Sequence, residues 1–285
     1  MIDLHTHTYE SDGTYSPREL VEAAIKAGLE ALAISDHDTF SGYDQAVPIT
    51  RDAGLDLVCG IELSTKHAFE ATSKSRSVHL LAYFFNSGPP ADFREWLVEM
   101  QNNRRDRNRR LAARLRDFGL DITLEEVEAL GRTMAGRPHF ARVLLEKGYV
   151  SSYDEAFRLY LDESAKAYVD RIQPALLDAI QRIKTFGGIS SLAHPVRLGR
   201  RDVQKEETFV ALLRDAGLDA IEAWHSDHTE EDTRRYLGLA VKYGLAVTGG
   251  SDFHGDVKPS VRLGVGRGQV ATPKEALDRL RQISG

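Results

Sequence analysis

The chain has 285 residues and a single cysteine, Cys59. No disulfide can close within it, which fits a reducing compartment, and no thiolate cluster can hold a metal. Any bound metal must therefore be held by nitrogen and oxygen. No apolar run approaches ~20 residues, so nothing is expected to span a membrane. The opening Met-Ile-Asp-Leu-His has no basic stretch leading into an apolar one. No secretory signal is expected, and a cytoplasmic location follows. An excess of positive charge is also missing. The net charge is −6 and the pI about 5.9, which removes any global pull toward nucleic acid and leaves room only for a local basic patch. What is present is an ordinary globular composition, 42% hydrophobic and 28% charged, in a chain long enough for one large domain or one domain with an insertion.

Short apolar segments alternate with amphipathic stretches, as repeated βα units do. Seven strands are expected: Ile2–His5, Ala31–Ser35, Leu57–Ile61, Val78–Phe84, Gly188–Ala193, Ala220–Trp224 and Ala246–Gly250. Gly28, Gly54, Gly217 and Gly244 each precede a leucine, a recurring helix-to-strand turn. The rhythm breaks between about Pro89 and Tyr168, where only helices are expected: Asp92–Phe118, Leu124–Leu130, Pro138–Glu146 and Ser152–Leu161. Residues 89–168 thus read as a helical cap inserted into a barrel formed by 1–88 and 169–285. Such an insertion at the C-terminal ends of the strands would cover a site. A last amphipathic helix is expected from Pro273 to Ile283.

Almost every expected strand carries a metal-ligand type, most of them at its end. The first gives His5 and His7, two apart and so on one side of an extended chain, with Asp12 in the loop beyond. The second leads into Asp36-His37-Asp38, the third into Glu62; the fourth carries His79, the fifth leads to His194, and the seventh to Asp252 and His254. H-x-H alone is weak, and a lone histidine at a strand end is more often structural. Nine candidate ligands on strands that a barrel brings to one rim are a different matter. Imidazole and carboxylate without thiolate suit manganese, zinc, iron or cobalt. Nine ligands are too many for one ion, so two or three divalent ions are expected, manganese first with zinc and iron as alternatives. Glu62 is the candidate bridge. Clustered ions that activate a shared water suit phosphate ester hydrolysis.

These segments, Asp3-Leu4-His5-Thr6-His7, Ser35-Asp36-His37-Asp38, Gly60-Ile61-Glu62, His79, Ala193-His194-Pro195 and Ser251-Asp252-Phe253-His254, resemble the polymerase and histidinol phosphatase (PHP) family. The resemblance runs from end to end and implies an α/β fold, a distorted seven-stranded (βα) barrel. It also implies three metal shells: His5, His7, Glu62 and Asp252; Glu62, His79 and His194; Asp12, His37 and His254. Asp12 departs from the histidine that many relatives carry, a harder and more anionic ligand. Gly136-Arg137-Pro138-His139-Phe140-Ala141-Arg142 and Gly148-Tyr149-Val150 resemble the insertion of the 3′,5′-nucleotide bisphosphate phosphatases of this family. The implied reaction is removal of the 3′-phosphate from adenosine 3′,5′-bisphosphate by attack of a metal-bridging hydroxide. A 5′→3′ exoribonuclease acting on short RNA is the alternative within enzymes, and a non-catalytic metal- or nucleotide-binding module the alternative outside them. No obligate protein partner is implied.

Substrate contacts are expected at Arg137 and His139, where Pro138 opens a helix whose free N–H groups suit a phosphate. Arg197, three residues past His194, is a further phosphate candidate. Helix Asp92–Phe118 carries eight arginines between Arg94 and Arg116. Its apolar stripe is interrupted by Asn103, Arg104, Arg107 and Asn108, at positions that should be buried. Either that stretch overhangs solvent, with the arginine stems packed down, or it faces an anionic substrate through Asn103 and Arg104. His194 and Asp36 are the candidates for protonating the leaving oxygen. His225 and His228 are expected to be rim residues without catalytic duty, and His67 receives no role.

Overall fold

The structure is a computed structural model that describes residues 1–51, 53–70, 74–85, 88–131, 134–199 and 202–284. Seven strands stand in chain order around one sheet: β1 (Ile2–Asp3), β2 (Ala31–Ile34), β3 (Asp56–His67), β4 (Arg76–Phe84), β5 (Ile189–Leu192), β6 (Ala220–His225) and β7 (Ala246–Gly250). The sheet is bent into a nearly closed barrel. β1 and β7 meet through Leu4 N–H donating to Gly249 O at 3.1 Å, and the join continues past both strands as Asp252 N–H to His5 O at 2.8 Å and His7 N–H to Phe253 O at 2.9 Å. β1 is therefore shorter than the sequence suggests, because its last residues pair loop to loop.

The βα repetition has one exception. β4 is antiparallel to both β3 and β5, and all other neighbours are parallel. β3 and β4 form a long hairpin with Ser64 opposite His79. His79 therefore lies near the beginning of its strand and Glu62 lies within β3, whereas the other ligands lie just beyond strand ends. Reversal of the strand brings that beginning onto the same rim. The four expected glycine turns have φ between 67° and 96°, the left-handed region that side chains avoid.

Ten α-helices stand among the described residues: α1 (Pro17–Lys26), α2 (Ser41–Thr50), α3 (Ala91–Asp117), α4 (Leu124–Gly131), α5 (Arg137–Glu146), α6 (Tyr153–Ala156), α7 (Leu176–Thr185), α8 (Val203–Asp215), α9 (Glu230–Tyr243) and α10 (Lys274–Ser284). α6 runs directly into a π-helical turn, Phe157–Leu161. None of the helices among the described residues is long and apolar enough to cross a membrane. α3 to α6 make up the stretch expected as a cap, and the packing boundary does not fall at its start. Phe93, Leu97 and Met100 of α3 belong to the barrel's core, with Leu80, Ile180 and Ile183. Leu111, Ala112 and Leu115 belong to a separate core with Phe140, Leu144 and Leu161. One helix thus serves two cores, and the polar stretch between them spans the gap.

The barrel's seam is tight. A Cβ on Gly250 would lie 2.3 Å from His5 N and 2.4 Å from His5 Cβ, so β7 can approach β1 only with glycine there. Gly250→Ala is expected to destabilise the fold by about 2 kcal/mol and lower Tm by roughly 5 °C, read by thermal denaturation. An unchanged Tm would mean that the seam yields without cost.

Candidate metal centre

The nine expected ligands converge. Glu62, at the point where β3 passes the rim, is their hub. Its Oε1 lies 2.8 Å from His79 Nδ1 and 2.8 Å from His194 Nε2. Its Oε2 lies 3.3 Å from His5 Nε2, 3.2 Å from His7 Nε2 and 3.2 Å from His37 Nδ1. Asp252 Oδ1 closes one side, 3.4 Å from His7 Nε2 and 3.6 Å from His5 Nε2. Asp12 closes the other, with Oδ1 3.2 Å from His254 Nε2 and Oδ2 3.6 Å from His37 Nε2. Burial alone would raise the Glu62 carboxyl, but His37, His79 and His5 beside it hold it well below the usual range.

Ligand atoms that could hold an ion group as His7, Asp12, His37 and His254; as His5, Glu62 and His194; as His5, His7 and Asp252; and as His37, Glu62 and His79. His5 Nε2, His7 Nε2 and His37 Nδ1 are buried and make no hydrogen bond. Orphaned ring nitrogens are costly to bury, and here they surround carboxylate oxygens at ligand spacing. Divalent ions fit this donor set.

The surrounding residues fix the ring orientations. His5 Nδ1–H donates to Glu222 Oε1 at 2.8 Å, and Glu222 Oε2 accepts His194 N–H at 2.6 Å. His254 Nδ1–H donates to Asp252 O at 2.8 Å, which leaves Nε2 free toward Asp12. Asp3 accepts from Ser251 N and Gly264 N at 2.8 and 2.7 Å, tying the first ligand loop to the last. Among the described residues, the non-glycine residues with positive φ are Asp38 (53°), His194 (27°) and Asp252 (55°). All three belong to this rim, where strained backbone aims side chains that an ordinary turn would misdirect.

Over the rim lies a cavity of about 500 Å³, walled by the barrel below and the cap above. This is a usual size for a small-ligand site. Arg104, Arg107, Arg137, Arg171, Arg197 and Lys258 line it. Asp38 accepts from Arg104 Nη2 at 2.5 Å and from Arg171 Nη1 at 3.3 Å. Burial would raise the Asp38 carboxyl, but these two guanidinium groups hold it below its ordinary value. Burial and the neighbouring Arg104 pull Arg171 down to about 9. Burial and Arg171, Arg104 and Arg137 push Arg107 well below its ordinary value. Guanidinium groups stay protonated at neutral pH, so these shifts register positive potential that too few carboxylates offset.

The substrate and proton-donor candidates are distributed unevenly. Arg104 and Arg137 are on the cavity wall. So is Arg197, whose Nη2 lies 2.7 Å from both Asp252 Oδ2 and Asp227 Oδ2. Asn103 is half-buried and absent from that wall; Arg104 and Arg107 on the neighbouring helical positions take the place expected for it. His139 is buried behind the wall, where its Nδ1 accepts Gly136 N–H at 3.1 Å and caps α5. Asp36 does not reach the cavity: Thr8 N, Thr8 Oγ1 and Ser11 Oγ donate to it at 2.7, 2.6 and 2.7 Å. It holds the loop between His7 and Asp12 in place. His225, expected on the rim, is fully buried, with Nε2 3.4 Å from Asp252 Oδ2.

Several functional residues escaped the sequence reading. Glu222 had a signal, a lone carboxylate inside the apolar strand Ala-Ile-Glu-Ala-Trp. Arg107 broke an apolar stripe. Arg171, just beyond the insertion, and Lys258, whose Nζ lies 2.7 Å from Asp252 Oδ2, had none.

A barrel that closes on such a rim defines a metal-dependent hydrolase. A family model for the PHP domain matches residues 3–172, and the chain belongs to that family, as a metal-dependent phosphoesterase. A phosphoribosyl 1,2-cyclic phosphate 1,2-diphosphodiesterase of Eggerthella lenta is 33% identical over 89% of this chain and 94% of that protein. A 5′-3′ exoribonuclease of Haemophilus influenzae is 30% identical over 88% and 89%. A 3′,5′-nucleoside bisphosphate phosphatase of Chromobacterium violaceum is 29% identical over 89% and 87%. A solved structure from Bifidobacterium adolescentis, described as a metal-dependent phosphoesterase, superposes with a TM-score of 0.83 at 32% identity, covering 100% of this chain and 96% of that one.

After chelation and reconstitution with Mn²⁺, at least two ions per chain are expected by plasma mass spectrometry. Glu62→Ala, which removes the shared carboxylate, is expected to lose at least one of them with an unchanged far-UV spectrum. Full metal retention would deny Glu62 its place as the bridge.

Proposed function

We propose that the protein hydrolyses the 3′-phosphate of nucleoside 3′,5′-bisphosphates, giving a nucleoside 5′-monophosphate and inorganic phosphate. The observation that carries this reading is the division of the cavity into two anion-seeking walls. One is the histidine–carboxylate rim; the other is the group Arg104, Arg107, Arg137 and Arg171. Asp38 is the only buried acid among the described residues that pairs with those arginines, and Glu163 stands exposed at the mouth. A substrate with one phosphate would leave one wall unused. Two of the named relatives agree on a coarser point, since a nucleoside bisphosphate and a phosphoribosyl cyclic phosphate are both riboses that carry two phosphate groups.

In this reading His5, His7, Asp12, His37, Glu62, His79, His194, Asp252 and His254 hold two or three divalent ions. Those ions would supply an activated water and electrophilic pull on the phosphoryl oxygens. Arg104, Arg107, Arg137 and Arg171 bind the 5′-phosphate, which fixes the ribose and brings the 3′-phosphorus to the rim. Arg197 and Lys258, already drawn to Asp252, stand where negative charge develops. Burial and Arg197 hold the His194 ring well below its ordinary value, so it is better suited to ligation than to donating a proton. Lys258, whose Nζ lies 2.7 Å from Asp252 Oδ2, is the proton donor to the leaving oxygen in this reading.

A second reading, a 5′→3′ exoribonuclease, rests on the Haemophilus influenzae relative. The same placement would serve, with a nucleotide chain continuing from the 3′-phosphate. Against it, four outward arginines of α3 are engaged locally. Arg105 pairs with Glu128, Arg109 with Asp106, and Arg110 and Arg114 donate to Asp170 O and Tyr168 O. They form no open track for a strand.

With Mn²⁺, adenosine 3′,5′-bisphosphate should yield AMP and phosphate. Arg107→Ala should raise KM about ten-fold or more with kcat nearly retained, the loss of one charged contact made equally in ground and transition states. Adenosine 3′-monophosphate, which lacks the 5′-phosphate, should not distinguish variant from wild type. No phosphate release from the bisphosphate sinks the proposal. Faster release of mononucleotides from a 5′-phosphorylated oligoribonucleotide would replace it with the second reading.

A further inference from the structure

The cavity has a third wall that neither phosphate explains. Tyr153, Phe157 and Tyr168 line it beside Pro138, on the cap side. Tyr153 and Phe157 are four residues apart, one turn along α6 into the π-helical turn, and so share a face. Both are half-buried, packed on one side against the cap's core of Phe140, Ala156 and Leu161 and open to the cavity on the other. Tyr168 is half-buried as well; its hydroxyl donates to Asp170 Oδ1 at 3.1 Å, and the Arg137 guanidinium lies 5.9 Å from its ring centre. Among the described residues, none of the three rings stacks on another aromatic ring. Aromatic faces left open toward a wet, highly charged cavity are costly unless something flat and apolar covers them.

The π turn ties this wall to the arginines. Such turns are rare and occur often at functional sites. This one ends at Leu161, whose carbonyl accepts Arg137 Nη1–H at 3.2 Å. The backbone that presents Phe157 therefore also positions one of the phosphate-binding arginines.

We infer that Tyr153, Phe157 and Tyr168 form a nucleobase subsite, so that the substrate is a nucleotide and not a base-free sugar phosphate. The inference rests on the proposal above that a ribose 5′-phosphate sits at the arginines. A base attached to that ribose lies within reach of rings borne on the same turn. Ring-on-base stacking accepts any base, because every base has a π face.

The test compares adenosine 3′,5′-bisphosphate with 1,4-anhydroribitol 3,5-bisphosphate, which differs only in having hydrogen for the base. The expected ratio of kcat/KM, nucleotide over base-free, is about ten or more in the wild type. Phe157→Ala should bring that ratio toward one, and Phe157→Trp should restore it. Because the ratio is internal to each variant, a partly unfolded preparation cannot imitate the effect. Calorimetric binding of AMP against 1,4-anhydroribitol 5-phosphate supplies a readout without turnover. A wild-type ratio near one in kinetics, or equal affinities in calorimetry, overturns the inference. So does a ratio that persists in Phe157→Ala and Tyr153→Ala alike. If neither bisphosphate is hydrolysed, the proposed reaction falls, and calorimetry alone decides the base subsite.

Discussion

Five imidazoles face the two oxygens of one buried carboxylate, Glu62. Without a counterpart this arrangement is unfavourable, because three of the ring nitrogens are buried without a hydrogen bond. The polypeptide does not relax it. Glu222 anchors His5, Asp3 fastens the first loop to the last, Asp36 holds the segment between His7 and Asp12, and three strained residues keep their aim. The orphaned nitrogens and the strained backbone cost stability in the bare protein, a cost that positive ions at the centre would offset. Metal binding should therefore contribute to folding stability as well as to chemistry.

The reversed strand is the topological form of the same constraint. A parallel β4 would present its far end to the rim and carry His79 to the opposite mouth of the barrel. The hairpin with β3 places His79 opposite Ser64, two residues beyond Glu62. The exception to the βα rhythm is thus what lets two strands joined by a hairpin, with no helical crossover between them, supply ligands to one centre.

That exception marks the limit of what the sequence disclosed. Spacing made the ligand rim legible: H-x-H and D-x-H lie where strands end, and hydrophobic runs locate those ends. The seven strands and the run of helices between the fourth and the fifth followed from periodicity. Strand direction did not, because an apolar run reads the same either way. Nor did the residues that act through partners distant in the chain. Asp38 meets Arg104 and Arg171, separated from it by 66 and 133 residues, and nothing local in either sequence neighbourhood announces the pairing. Asp36 and His139 looked chemically apt, and only their hydrogen bonds to Thr8, Ser11 and Gly136 reveal that they hold backbone in place. Asn103 lay one helical position from the cavity wall, an error of angle that a stripe of residues cannot resolve.

The interrupted stripe of α3 follows from that geometry. A helix that joins two cores must cross the space between them, and here that space is the cavity. Apolar residues at Arg104, Arg107 and Asn108 would have packed the cap onto the barrel and filled it. Buried arginines instead keep the two bodies apart, since like charges repel and a single carboxylate, Asp38, cannot neutralise them. The gap is thus held open by unbalanced positive charge, and the same imbalance makes an anion the natural occupant. Stability surrendered in the empty cap is recovered as affinity. Holding an anionic group and keeping the cavity unfilled are, in this helix, served by the same side chains.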